Sequence, residues 1–197
     1  VTMPRAGLDR TVVVDAAVEA VDELGAEALT LALLAARLGV KAPSLYKHVG
    51  GLGDLRAAVA VESKRELAAA LERAAVGHGG EDAVVAIAGA YRAWAKVHPG
   101  RYPMTIVAER SDDPEDVEAS TRLYAVVAAA LRSLRLEGAG EVDAIRALRA
   151  ALHGFVGLET AGGFGLPDDV DRSYALMVTD LVAALEARAQ NDETPAG

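Results

Sequence analysis

The chain has 197 residues, 52% of them hydrophobic, which is enough to bury a core in one large domain or two small ones. It contains no cysteine, which excludes disulfides, thiolate chemistry and cysteine-based zinc sites. No long apolar run is free of charge, and the opening residues lack the basic-then-apolar layout of a signal peptide, so a cytoplasmic protein with no membrane anchor is expected. The formal charge of −9 argues against a protein that coats nucleic acid with its whole surface. Ala, Leu and Val carry the apolar content with only two Phe and one Trp, a composition suited to closely packed helices, and the predicted fold is all-α.

Taken in chain order, Val13, Ala17, Ala20, Val21 and Leu24 repeat at helical spacing, and Gly25 closes that first helix. Leu31, Leu34, Ala35 and Leu38 fall at i, i+3, i+4 and i+7 on one face of a second, short helix opened by Thr30 as its N-cap. Gly39 lets the chain leave that helix through a left-handed backbone, and Val40 is the apolar residue of the turn. Pro43 fits the first turn of a third helix, whose Leu45 and Val49 point back at the second. Two short helices around one glycine are the pattern of a helix-turn-helix. Ala42, Ser44, Lys47 and His48 are left facing outward, where small residues admit a helix to a major groove and the longer side chains reach bases and phosphates. Residues 37–56 carry a net charge of +3 within an acidic molecule, while residues 1–60 as a whole sum to −1. The basic patch is modest, and a single copy should bind DNA weakly.

Beyond a glycine break at 50–53, Asp54 is placed to cap a long helix reaching about Ala75 and ended by Gly77 to Gly80. Asp82 to His98 is apolar nearly all round, which predicts a helix through the middle of a larger body, stopped by His98-Pro99-Gly100. Asp113-Pro114-Glu115-Asp116 is a helix start, with Val117, Thr121, Tyr124, Val127 and Leu131 as its inner face. The last two helices are predicted from Glu141 to Thr160 (Val142, Ile145, Leu148, Leu152, Phe155) and from Asp169 to Arg188 (Val170, Tyr174, Met177, Val178, Leu181, Leu185). The expected organisation is a three-helix helix-turn-helix domain over 1–53, a helical bundle over 54–188 and a disordered tail over 189–197, about nine helices in all.

The candidate sites divide by chemistry. Histidines 48, 78, 98 and 153 are far apart without a metal-binding spacing, and the acids around Asp113 have a capping explanation, so no cofactor, no metal and no enzymatic activity are expected. Ala161-Gly162-Gly163-Phe164-Gly165 follows a helix rather than a strand and reads as a loop, not a phosphate cradle. Tyr91, Trp94 and His98 form one stripe of the central helix, and two readings stay open: they fill a core, or they line a pocket. The small residues Ala147, Ala150, Ala151, Gly154 and Gly157 would let another helix approach closely, and the last helix has an apolar face wider than one neighbour needs. The expectation is a homodimer joined through Ala151, Gly154, Phe155, Leu158, Tyr174, Met177, Val178, Leu181 and Leu185, with packing inside one chain as the alternative.

Residues 9–60, with Leu45-Tyr46-Lys47-His48-Val49, Leu38-Gly39-Val40 and Leu55, resemble the N-terminal domain of the TetR family of bacterial transcriptional regulators. The remainder is similar to the branch of that family carrying Tyr91-Arg92-Ala93-Trp94-Ala95, a His-Pro break, and His153-Gly154-Phe155-Val156-Gly157-Leu158-Glu159. The resemblance implies that Ala42, Pro43, Ser44 and Lys47 face bases, that Tyr46 and His48 touch phosphates, and that Thr30 sits at the rim. It departs from the family at Lys41, where a Ser or Thr usually caps the helix, and the lysine there is expected to approach a phosphate instead. It departs again at Leu52 and Gly53, where the family usually offers a lysine. The resemblance implies a homodimeric, ligand-released regulator of a palindromic operator, most often a repressor, with the helix from Asp54 as lever. An inducer cavity would draw on Tyr91, Trp94 and His98, and on Tyr102, Met104, Tyr124, His153 and Glu159. The rival reading is an α-helical small-molecule-binding protein or enzyme that does not bind DNA.

Overall fold

The structure is a computed structural model that describes residues 8–136 and 138–192. Among these residues it is helical throughout, with no strand. The helices are α1 (Arg10–Leu24), α2 (Leu31–Arg37), α3 (Ala42–Leu45), α4 (Leu52–Ala75), α5 (Gly80–Val97), α6 (Tyr102–Thr105), α7 (Pro114–Arg132), α8 (Gly138–Thr160) and α9 (Val170–Asp192), with a 3-10 turn at Ala26–Ala28. No helix among the described residues is long and apolar enough to cross a membrane.

The chain divides into two compact units. One comprises the described residues up to Glu66 together with His98–Ser120; the other comprises Leu67–Val97 and the described residues from Thr121 onward. The boundary expected between 53 and 54 therefore falls inside the first unit, because α4 is shared and the segment after α5 rejoins the N-terminal helices.

In the first unit, Asp9 Oδ1 accepts from the Val12 amide at 2.9 Å and opens α1, and Gly25 closes it at φ 82 with its N–H on the Val21 carbonyl. The core is built from Val13, Ala17, Ala20 and Val21 of α1, Leu29, Leu34 and Ala35, Leu45 and Val49, and Leu55 and Val59 of α4. Leu24, expected on the inner face of α1, is instead exposed. Asp54 lies in the first turn of α4, two residues after the helix has begun. It accepts from the Gly50 amide at 2.8 Å, so it secures the loop before the helix from within.

A charged pair is buried in the same unit. Lys64 Nζ of α4 donates to Asp116 Oδ1 of α7 at 2.6 Å and to Ser120 Oγ at 3.0 Å, and the Arg110 amide donates to Asp116 Oδ2 at 2.9 Å. Asp113 caps α7 as the sequence implied, accepting from the amides of Glu115 and Asp116. Asp116, however, is not on an exposed helix start but 4% exposed. Burial alone would push its carboxyl up; the Lys64 ammonium and the Arg110 amide outweigh burial and hold it below the ordinary carboxylate range.

The second unit packs α5 against α8 and α9, and α8 against α9. α5 buries Val84, Ile87, Ala88, Tyr91 and Trp94, but it is not enclosed on all sides: Val85 and Val97 are exposed. Tyr174 of α9 donates its hydroxyl to the Ala88 carbonyl at 2.6 Å. On α7 the expected face is also displaced, since Thr121 and Tyr124 are exposed while Asp116, Ala119, Ala128 and Leu131 are buried. The helix belongs to the first unit up to Ser120 and to the second from Thr121, so a single stripe does not describe it. Val142 is likewise exposed, and Ala144 takes its inward place on α8. α9 runs to Asp192, past the Arg188 end expected for it, and residues 193–197 of the expected tail lie outside the described residues.

Two expected outcomes follow from these contacts. A Cβ on Gly100 would overlap the Val21 carbonyl oxygen and lie 3.3 Å from Gly25 Cα, backbone against backbone. Gly100→Ala should therefore lower stability in urea unfolding by about 1–3 kcal/mol, as overpacking does. Asp116→Ala should cost about 3–5 kcal/mol by stranding Lys64, while a joint Lys64→Met, Asp116→Leu change should cost far less. Because the Asp116 carboxyl is depressed in the folded state, its stabilisation is complete above the unfolded value of about 4 and is lost as pH falls through the lower folded value. Urea midpoints of the wild type and the double variant, measured from neutral pH down to about pH 3, should converge as pH falls.

Candidate nucleic-acid interface

α2 begins where Thr30 Oγ1 accepts from the Leu33 amide at 3.1 Å. It ends in a paired closure, with the Val40 amide on the Ala35 carbonyl at 2.9 Å and the Gly39 amide on the Ala36 carbonyl at 3.2 Å. That closure needs a left-handed residue, and Gly39 supplies it at φ 66. Pro43 then sits in the first turn of α3, where its missing N–H is of no consequence. Lys41, at the N-cap, makes no side-chain cap, in keeping with the departure noted there.

The regular part of α3 is short, Ala42–Leu45, and Tyr46 to His48 form a turn. One further helical bond, from the Val49 amide to the Leu45 carbonyl at 3.0 Å, carries the geometry through to Val49. Leu45 and Val49 are both buried. This turns Lys41, Pro43, Tyr46 and Lys47 outward as exposed residues, with Thr30 exposed at the start of α2; Tyr46 is 61% exposed although it is a large aromatic. Ala42, Ser44 and His48 are half-buried.

The charge of this surface is smaller than its sequence suggested. Arg37 is held by Glu23 at 2.7 Å and by Glu19 at 3.1 Å, and its hydrogen bond lowers the Glu23 carboxyl. Arg56 donates to the Ala26 carbonyl at 3.4 Å. Arg10, which sequence reasoning did not single out, pairs with Asp54 at 2.9 Å and also donates to the His48 carbonyl at 3.3 Å. The Arg10 hydrogen bond holds the Asp54 carboxyl below its ordinary range against the opposing effect of burial. Arg10 thus braces the end of the α3 turn from α1. Its sequence signal was slight, a lone arginine one residue after an N-cap. Lys41 and Lys47 remain as the exposed cations of the face.

The residues proposed for an effector are drawn from both units. Tyr91 and Trp94 are buried on α5 in the second unit. His98, one residue beyond the end of α5, belongs to the first unit and lies 2.9 Å from Asp22. Tyr102 is buried and Met104 packs on the first unit's core. Tyr124 donates to Glu141 at 3.1 Å on an exposed surface, and His153 is half-buried. Glu159 is held by both arms of Arg92, at 2.6 and 2.7 Å, and by Lys96 at 3.0 Å. Arg92 above all, with Lys96, holds its carboxyl at about 2 despite burial. Glu159 is therefore already paired within the chain, and Arg92 also lies 4.7 Å from the Tyr174 ring centre. A cleft of about 530 Å3 in the second unit is lined by other residues, among them Phe155, Phe164, Leu166, Val170 and Leu176.

Of the residues expected at a dimer seam, Tyr174, Val178 and Leu185 are buried within the chain itself. Ala151, Phe155, Met177 and Leu181 are half-buried, while Gly154 and Leu158 are exposed. Among the described residues no group of three or more histidines and acids is placed to hold a metal ion.

Residues 84–181 match the family described as tetracyclin repressor-like, C-terminal domain. An HTH-type transcriptional regulator of Mycobacterium tuberculosis, Rv0681, is 40% identical over 192 residues, covering 96% of this chain and 87% of that one. The class D tetracycline repressor protein of Escherichia coli is 46% identical over 57 residues, 29% of this chain and 26% of its own length. Among solved structures, a TetR variant of Acinetobacter baumannii AYE in complex with minocycline superposes with a TM-score of 0.68 at 23% identity, over 93% of this chain and 99% of that one. An N-terminal helix-turn-helix, a C-terminal match to the repressor-like domain and a relative aligned over nearly the whole length together place the chain in the TetR family of helix-turn-helix transcriptional regulators.

Proposed function

We propose that the protein is a cytoplasmic, homodimeric repressor that reads a palindromic operator through α2 and α3 and releases it when a small molecule occupies the second unit. One observation carries the DNA reading. The apolar residues of α2 and α3 are turned inward around Gly39, and Lys41, Pro43, Tyr46 and Lys47 are left together on the open side. In this reading Ala42, Pro43, Ser44 and Lys47 meet base edges, Tyr46, His48 and Lys41 meet phosphates, and Thr30 lies at the rim. Two exposed lysines give one copy few phosphate contacts, and a two-fold partner doubles them while fixing half-site spacing.

The dimer seam is proposed where apolar side chains are still uncovered. Leu158, Phe164, Leu166 and Leu176 are exposed around the end of α8, the loop after it and the start of α9, and Gly154 gives a backbone approach beside them. Tyr174, Val178 and Leu185 support that surface from within. The effector is proposed to reach the second unit beside Tyr91 and Trp94, whose rings offer apolar area with a polar tip. The tetracycline repressor name and the minocycline complex of the relatives make planar, polycyclic molecules the first to test.

Tyr46→Ala with Lys47→Glu should abolish operator binding in a gel-shift assay on a duplex recovered by selection, and leave the dimer intact in sedimentation. Retained binding would refute the assignment of the face. Trp94 is the chain's sole tryptophan, so its emission reports on the proposed effector site directly. A bound tetracycline-class molecule that releases DNA should also shift or quench that emission, whereas release without any change at Trp94 would place the effector elsewhere.

A further inference from the structure

Behind the DNA-reading face, four ionisable side chains meet from three parts of the first unit. Arg101, itself 2% exposed, directs Nε to Asp22 Oδ1 at 2.9 Å, Nη2 to Asp22 Oδ2 at 2.9 Å and Nη1 to Glu66 Oε2 at 2.8 Å. Asp22 belongs to the last turn of α1 and Glu66 to α4. The missing side chain of Gly100 lets the turn lie on the Val21 carbonyl, so Arg101 enters at close range. His98, on the same turn, completes the group, with Nδ1 2.9 Å from Asp22 Oδ2 and 2.8 Å from Arg101 Nη2.

These last two contacts make opposite demands on one nitrogen. Asp22 calls for a proton on Nδ1, and Arg101 calls for a lone pair there. A neutral imidazole satisfies Arg101 in one tautomer and Asp22 in the other. A protonated imidazole can satisfy only Asp22 and sets a second cation against Arg101. Asp22 faces the ring from α1, Glu66 reaches the cluster from α4 and Arg101 comes from its own turn, so the cluster carries a net −1 when His98 is neutral.

We propose that Arg101 is a positioning residue for DNA recognition, seating the last turn of α1 on α4, and that the protonation state of His98 sets how firmly it does so. The inference rests on the reading of α2 and α3 as the DNA reader, because α1 is the helix on which α2 packs and from which Arg10 braces the α3 turn. A protonated His98 sets a cation beside the Arg101 guanidinium and competes with it for Asp22 Oδ2, so the hold of Arg101 on α1 loosens, the two short helices lose their fixed presentation, and operator affinity falls. Acidification should therefore weaken operator binding through this cluster.

The test compares wild type with His98→Asn, which keeps a hydrogen-bonding atom near the place of Nδ1 and does not titrate. Operator affinity is measured by fluorescence anisotropy at fixed salt across about pH 5.5 to 8, where imidazoles change charge. Every other ionisable group, His48 on the DNA face included, is common to both proteins, so the difference between the profiles isolates position 98. Wild type should weaken relative to His98→Asn by roughly tenfold on acidification. Parallel profiles would overturn the proposal even though operator binding itself is intact.

Should selection return no operator, the DNA reading fails separately, and amide exchange decides the latch. Arg101→Met should speed exchange in the last turn of α1, where the Gly25 amide is bonded to the Val21 carbonyl at 2.9 Å, and Arg101→Lys should restore part of the protection. If Arg101→Met does not fold, Asp22→Asn serves in its place. Unchanged exchange in these variants would likewise sink the proposal.

Discussion

The first unit depends on one close approach, the turn at Gly100 resting on the carbonyl of Val21. A backbone-to-backbone contact of this kind leaves no room for a side chain, and it fixes where the following residues enter. Arg101 then reaches α1 and α4 together, and Met104 packs on the same core as Leu34, Leu45 and Val59. The three N-terminal helices are too small to bury a large core unaided. The chain's return after α5 adds to them both an apolar plug and a charge cluster centred on the buried Arg101. The Lys64 to Asp116 pair does the same service farther along α4. Buried ion pairs contribute little net stability compared with apolar packing, but removing one partner strands the other.

Charge is distributed by a similar logic. The basic residues between 37 and 56 would make a patch if all faced solvent, but Arg37 lies between two glutamates of α1 and Arg56 reaches the Ala26 carbonyl. Arg10 pairs with Asp54 and holds the end of the α3 turn. The arginines thus brace the helix-turn-helix, and the lysines at 41 and 47 are left exposed on it. This division suits the two side chains, since the planar guanidinium bonds fixed acceptors in a fork and the ammonium is a mobile point charge.

Much of this was legible in the sequence where the cause is local. The Thr30 cap, the left-handed Gly39, Pro43 in a first turn and the inward Leu45 and Val49 all rest on interactions within five residues, and each appears as the spacing implied. Features whose cause lies far along the chain were not legible. Asp116 looks like a first-turn acid until Lys64, fifty-two positions away, is seen beside it. Glu159 reads as a possible ligand contact until Arg92 closes on it from sixty-seven positions away. Helical periodicity reports that a face is covered but not by what: Tyr174, Val178 and Leu185 mark such a face on α9, and the chain itself covers them. The α6 turn and the change of inner face along α7 escaped for a related reason. A four-residue helix has no period to detect, and a helix shared between two units has two.

That sharing bears on how a signal could pass. The chain crosses between the units at Glu66–Leu67, Val97–His98 and Ser120–Thr121, twice within helices α4 and α7 and once in the turn after α5. A helix transmits displacement along its length because its hydrogen bonds resist bending. The turn has only short-range bonds of its own, from the Arg101 and Tyr102 amides to the His98 carbonyl, and it is held further by Gly100 against Val21 and by Arg101 between Asp22 and Glu66. A ligand-responsive regulator needs two arrangements for which its ligand has different affinities. In the cluster after α5 one imidazole nitrogen is claimed by both a carboxylate and a guanidinium, and it can satisfy only one of them at a time, so a single proton decides which bond is made.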